Sequence, residues 1–187
     1  DTKDTKDTKD TKDTKDTKDT KGVASTEEFY DSSLKSQSII YYEELGAKIS
    51  DVKITTICGK KVNVLTQGKE YIISYKVHVY KDMQLVFGCY LTDVQGIHIT
   101  GAVYPKRFAF GEFVNAEKDK QYEITYKLKT QLNEGNYFVS VIIRNKDFEN
   151  NHVIKDVYAL KVRQNNDYSN GIVDLLVPQE IVNIENN

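Results

Sequence analysis

From Gly46 onward, apolar and polar residues alternate with a period of two, in short runs broken by glycine- and asparagine-containing turns. That period places successive side chains on opposite sides of an extended backbone, so it commits the chain to strands with one buried face. Tyr71, Ile73, Tyr75, Val77 and Val79 form the cleanest such face, with Ser74, Lys76 and His78 turned outward. Leu85, Phe87, Cys89 and Leu91 form another, and Gln95-Gly96 is a hairpin turn into Ile97 and Ile99. Tyr122 to Leu128, Val139 to Ile143, and Tyr158, Leu160 and Val162 repeat the pattern. Two regions are rougher. Ala47 to Thr56 alternates imperfectly, as an edge strand that Gly59-Lys60 turns toward Val62–Leu65. Gly101 to Lys120 is irregular and carries Tyr104, Phe108, Phe110 and Phe113. Seven or more strands with no intervening helix predict an all-β chain, an antiparallel immunoglobulin-like β-sandwich. Tyr137, just after Leu132-Asn-Glu-Gly-Asn, stands where a tyrosine corner would.

The remainder divides simply. Residues 1–22 are an Asp-Thr-Lys repeat with no apolar side chain and alternating charge, expected to be a disordered spacer. Residues 23–45 read as a linker, and Ser25 followed by Glu28 predicts a short helix from Thr26 to about Lys35. Residues 46–187 hold the sandwich. Beyond the polar stretch from Gln164 to Asn170, Gly171-Ile-Val-Asp-Leu-Leu-Val177 is predicted to be a detached strand able to cover an edge, its own or a partner's.

Composition argues for recognition and against catalysis. The 187 residues include 13 Tyr but only three His, two Cys and one Met. A formal charge of −2 gives no basic excess for nucleic acid or an anionic membrane surface. No apolar run is long enough to cross a bilayer, so direct membrane insertion is not expected. The chain opens without Met or a signal peptide, an expectation of a piece of a longer protein. Two Cys without CxxC spacing read as buried thiols, and with no Asn-x-Ser/Thr sequon they favour a reducing, cytoplasmic setting.

Chemical motifs are few. His78, His98 and His152 share no metal-ligand spacing, and Gly68-Lys69 is followed by Glu70 where a phosphate loop needs Ser or Thr. No Gly-x-Ser-x-Gly elbow is present. Glu43-Glu44 and Asp147/Glu149 read as solvated loop carboxylates rather than a glycosidase pair. The oxygen-rich loop of Asp147, Glu149, Asn150 and Asn151 lacks the spacing of a calcium loop. No cofactor and no metal are expected, and the chain is read as no enzyme.

One strand breaks the alternation. In Tyr137–Arg144 the second face carries Phe138, Ser140 and Ile142, so both faces are partly apolar. Its sandwich neighbours would be the strands at 84–93 and 153–162, whose outward positions are Val86, Gly88, Tyr90, Thr92, Val157 and Ala159. An outer face that apolar should be covered by a second subunit, the C-terminal segment or a ligand. For a sugar, aromatic faces and planar hydrogen-bonding groups are the recognition chemistry. The candidate carbohydrate-binding residues are Tyr90, Thr92, His98, Tyr104, Ser140 and Arg144. Phe138, Ile142, Ile172, Val173 and Leu175 are the candidates for dimerisation or strand exchange.

The order of Glu44-Leu-Gly-Ala-Lys-Ile-Ser-Asp-Val, Val86-Phe-Gly-Cys-Tyr-Leu-Thr-Asp, Leu132-Asn-Glu-Gly-Asn-Tyr-Phe-Val-Ser-Val-Ile-Ile and Gly171-Ile-Val-Asp-Leu resembles one family. It is the C-terminal domain of the ATP-binding subunit of O-antigen polysaccharide ABC exporters, the Wzt type, and the resemblance covers residues 44–177. It implies a β-sandwich that binds the modified end of a finished O-polysaccharide, in lipopolysaccharide biosynthesis, without catalysis. It further implies a homodimer exchanging its last strand, and partners in the exporter's nucleotide-binding and transmembrane subunits. The location implied is cytoplasmic, peripheral to the inner membrane. No Walker motif is present, so the resemblance implies a fragment or a separately acting domain. The alternative from the residues alone is an immunoglobulin-like dimerisation or adhesion module that binds protein and no glycan.

Overall fold

A computed structural model describes residues 27–165 and 170–175 of the chain. The Asp-Thr-Lys repeat, the start of the predicted helix at Thr26, and Leu176-Val177 lie outside the described residues.

Ten strands form two stacked sheets, as the alternation predicts. They are β1 (Ile40–Tyr41), β2 (Ala47–Thr56), β3 (Val64–Thr66), β4 (Glu70–Val79), β5 (Met83–Asp93), β6 (His98–Tyr104), β7 (Val114–Ala116), β8 (Gln121–Lys129), β9 (Gly135–Asn145) and β10 (Asn150–Arg163). The larger sheet runs β1-β10-β9-β5-β6, with β7 paired to the start of β5. The smaller sheet runs β2-β4-β8. All pairings are antiparallel except that of β3, which lies parallel to the end of β10. The strand at 137–144 is flanked by those at 84–93 and 153–162, as expected.

Leu85, Phe87, Leu91, Val139, Val141 and Ile143 from the larger sheet meet Tyr71, Ile73, Tyr75 and Val77 from the smaller one in a single core. Tyrosine hydroxyls fasten the two layers. Tyr75 on β4 and Tyr126 on β8 donate across the core to the carbonyls of Gly88 and Phe87 on β5, at 3.2 and 2.8 Å. Tyr158 on β10 donates to the carbonyl of Val62 at 2.9 Å. Tyr137 donates to the carbonyl of Asn133, four residues upstream, which is the expected tyrosine corner. Each hydroxyl gains a partner where an unsatisfied one would be costly. Burial pushes the phenols of Tyr75, Tyr126 and Tyr158 up, so they stay protonated donors.

Two expectations are corrected, the helix and the burial of Cys58, and the irregular edge strand gains its cause. No helix forms over the described part of the 26–35 segment. Phe29 instead bridges Val64, and the buried Asn63 side chain accepts from Asp31 N–H and donates to the carbonyls of Asp31 and Leu34. Tertiary hydrogen bonds outcompete a weak, serine-rich helix signal. The irregular alternation of β2 is a bulge: Asp51 has φ 51° and the pairing with β4 shifts between Ser50 and Lys53. Ala47 and Ile49 face the core before it, and Ile54 after it. Cys89 is buried as expected, but Cys58 is exposed in the turn after β2, and both are free thiols.

His152 joins the sheets at the other end of β2. It is buried, and its Nδ1 accepts the Ile49 N–H at 2.9 Å, so the bond requires a neutral ring. Burial holds its pKa below the usual histidine value, opposed by Glu44 and reinforced by Lys48. A lowered folded pKa means stability that is present above the unfolded value near 6.5 and lost as pH falls through the folded value. The chain should therefore lose melting temperature between pH 7.5 and 5 more steeply than His152→Asn, measured by thermal denaturation. Tyr126→Phe should cost about 1 kcal/mol, and Tyr75→Ala about 3–5 kcal/mol, measured by urea denaturation.

Candidate functional site

The outer face of the larger sheet carries a cleft of about 570 Å³. Its floor is made by side chains that are absent or small. Gly88 on β5 lies between Ile142 on β9 and Val103 on β6, and Tyr90 lies between Ser140 and Gly101. A Cβ at Gly88 would stand 2.6 Å from Ile142 Cγ2, and one at Gly101 would stand 3.2 Å from Tyr90 Cβ. Glycine at these two positions lets Ile142 and Tyr90 lie across the neighbouring strand, leaving a depression beside them.

The walls are aromatic. At the end of the cleft near the β5–β6 hairpin, Tyr90 and His98 pack with ring centroids 4.4 Å apart. At the opposite end, Phe108, from the 3-10 turn after β6, meets Phe148 of the β9–β10 hairpin edge-on at 5.8 Å. Tyr42, just after β1, lines the side formed by β10. It is held there by its N–H donating to the carbonyl of Val153 at 2.9 Å.

Charge in the cleft has one sign. Arg144 and Lys155 both line it, Arg144 Nε donates to Asn150 Oδ1 at 3.1 Å, and no carboxylate is among the lining side chains. Among the described residues neither cation has an ion-pair partner. Beside the cleft, Asp156 occupies a bulge in β10 with φ 51°. Its carboxylate accepts from Ser38 at 3.0 Å, Ser140 at 3.4 Å and Thr92 at 3.5 Å, and its N–H donates to Ser140 Oγ at 2.8 Å.

Four of the six candidate binding residues, Tyr90, Thr92, His98 and Arg144, line one cleft. The other two do not. Tyr104 pairs with the core-facing Phe87, which puts it on the opposite face of β6 from the cleft, with 56% of its surface exposed. Ser140 is fully buried and committed to Asp156. Thr92 lines the cleft, yet its hydroxyl also leans on Asp156. Tyr42, Phe108, Phe148, Asn150 and Lys155 also line the cleft, though none is among the candidate binding residues of the sequence. For Tyr42, Phe108 and Phe148 the signal is an aromatic side chain in a segment where no alternation would place it in a core; Asn150 and Lys155 carry none.

Of the residues considered for dimerisation, Ile142 forms part of the cleft floor and Phe138 is half-buried on the same face. Val173 bridges Leu132 within the chain, fixed by Asn133 N–H to the carbonyl of Ile172 at 2.9 Å and Asp174 N–H to that of Gln131 at 2.7 Å. Ile172 and Leu175 are 41% and 68% exposed. Among the described residues no group of three or more His, Cys, Asp or Glu could hold a metal ion, and no helix is long and apolar enough to cross a membrane.

The family model of the Wzt C-terminal domain matches residues 40–175. Among solved structures, the chain resembles the crystal structure of the C-terminal domain of Wzt at a TM-score of 0.70 and 21% identity, covering 80% of this chain and 92% of that one. A Niemann-Pick type C2 protein from Japanese carpenter ant follows at a TM-score of 0.45 and 14% identity, covering 65% and 96%. No curated protein matches the chain in sequence.

The floor is the most sensitive part of this geometry. Gly88→Ala should destabilise the fold by about 1–3 kcal/mol, because Ile142 must turn out of a well-packed position. Chemical denaturation of the variant, paired with Gly101→Ala as the milder contact, measures it.

Proposed function

The chain belongs to the Wzt C-terminal domain family, and from that premise we propose that it is a non-catalytic carbohydrate-binding domain for the terminal residues of a bacterial O-antigen polysaccharide. The observation that carries the proposal is the glycine-floored, aromatic-walled cleft on the outer face of the larger sheet. Its volume of about 570 Å³ falls in the range of small-ligand sites. Tyr90 offers a ring face to sugar C–H groups, with Phe108, Phe148 and Tyr42 around it. His98, Asn150 and the Thr92 hydroxyl suit sugar hydroxyls. Arg144 and Lys155, on a lining without carboxylates, favour a glycan end that carries negative charge.

Such binding would couple recognition of a finished chain to its export, beside the nucleotide-binding and transmembrane subunits of an ABC transporter, on the cytoplasmic side of the inner membrane. The segment from Gly171 suits a homodimer by exchange, since the bridge of Val173 to Leu132 can be made equally by a second copy. A protein-only dimerisation module is the second reading, favoured by the exposure of Ile172 and Leu175.

Titration with O-polysaccharides of differing terminal modification, followed by NMR and calorimetry, tests the glycan site. Tyr90→Ala and Arg144→Ala should each weaken binding about tenfold or more, equivalent to roughly 1.4 kcal/mol. If neither changes the affinity, the cleft is not the site. A chain that sediments as a dimer and responds to no glycan favours the second reading.

A further inference from the structure

Four residues other than glycine hold a positive φ among the described residues, and three of them are aspartates, a side chain that tolerates the left-handed region. The fourth is Phe148, with φ 63°. A bulky aromatic is strained there, and glycine would take the same position without that strain. Asn145 holds the turn. Its carbonyl accepts the Phe148 N–H at 3.1 Å, its side-chain oxygen accepts the N–H groups of Asp147 and Glu149, and its own N–H donates to the carbonyl of Glu149 at 3.0 Å. The turn is therefore complete without the ring, which stays 52% exposed. What the ring does meet is Phe108, edge-on at 5.8 Å, and the cleft. Strain of this kind persists where the surroundings fix it, and it clusters at ligand clamps.

The place of the ring contact gives it a use. Phe108 stands in the 3-10 turn after β6, where its carbonyl accepts the Gly111 N–H at 3.0 Å. Phe148 stands in the β9–β10 hairpin, and β5 runs between β6 and β9. The two rings thus meet across β5, where Val86 pairs with Arg144 and both residues line the cleft. They form a crossbar over that end. The other end has no counterpart. Tyr90 and His98 stand together on β5 and β6, the residue paired with Tyr90 on β9 is the fully buried Ser140, and Phe138 beyond it does not line the cleft.

We propose that Phe148, braced by Phe108, is the stop that makes the cleft select a chain end. The last residue of a glycan abuts the paired rings within reach of Arg144, and the chain leaves past Tyr90 and His98. A segment from the interior of a chain has to continue through the crossbar and is rejected by clash, a repulsive element that attractive contacts alone do not supply. The inference rests on the carbohydrate reading of the cleft and assigns, within it, the residue that sets terminal specificity.

The test uses two oligosaccharides made from whichever O-polysaccharide the chain binds, one ending in its natural terminal residue and one lengthened by a further sugar at that end. Calorimetry on the whole chain compares them. The wild type should prefer the first by roughly tenfold or more. Phe148→Gly and Phe148→Ala should lose most of that preference by gaining affinity for the lengthened one, and Phe148→Tyr should keep it. Thermal denaturation supplies a second readout: Phe148→Gly should melt above Phe148→Ala, because glycine adopts positive φ freely. A preference that survives Phe148→Gly, a wild type that binds both equally, or an equal loss of both affinities each overturns the stop while leaving glycan binding in the cleft intact. A glycine variant that melts below the alanine variant removes the strain argument and overturns it too. If the wild type binds no O-polysaccharide, the carbohydrate reading itself fails, and this inference with it.

Discussion

Two hydrogen bonds across the core carry most of the consequences of this fold. Tyr75 and Tyr126 reach from the smaller sheet to the backbone of β5 at Phe87 and Gly88, and Gly88 is the floor of the cleft on the other side of the same strand. The core thereby grips the site from beneath. A donor lost there frees a carbonyl directly under the cleft floor, so core stability and cleft shape are one property of β5. Phenols kept protonated by burial make this grip insensitive to pH across the physiological range.

The abundance of tyrosine takes on a different meaning in this light. Tyr71, Tyr75, Tyr126, Tyr137 and Tyr158 are structural, each using an apolar ring to fill the core and a hydroxyl to satisfy a main-chain group or, for Tyr71, also the Glu28 carboxylate. Among the described residues, Tyr90 and Tyr42 are the tyrosines that face the cleft. Composition pointed to recognition, and the larger share of the signal belongs to inter-sheet fastening. The phenylalanines of irregular segments, Phe108 and Phe148, do as much to shape the cleft as tyrosine does.

What the sequence disclosed follows the physics of alternation. Wherever period two holds, as in β4, β5, β8 and β9, the inward face is legible, for β9 the strand neighbours are too, and Tyr137 discloses its corner through the turn preceding it. Bulges defeated the rest. Asp51 in β2 and Asp156 in β10 each sit at positive φ where the pairing shifts, with one extra residue in β2 and two in β10, and nothing in the local composition marks such a change. Tyr104 lies in a stretch without clear alternation, and its pairing with Phe87, beyond the shift between Leu91 and Thr92, turns it to the other face of β6. Ser140 lay on the right face, but its hydroxyl was taken by a carboxylate that a bulge had carried across. Loop aromatics were out of reach because the position of Phe148 depends on hairpin geometry, not on any period.

The strip of chain before β2 is stitched to β10 by Tyr42 N–H to the carbonyl of Val153 and by a reciprocal pair between Leu45 and Asn151. The same strip supplies Tyr42 to the cleft. Peeling it back from the N-terminal side would strip away one wall of the cleft, while anything seated against Tyr42 would resist the peeling. Mechanical load arriving along the preceding polypeptide and occupancy of the groove therefore draw on a single seam, only a few backbone bonds long.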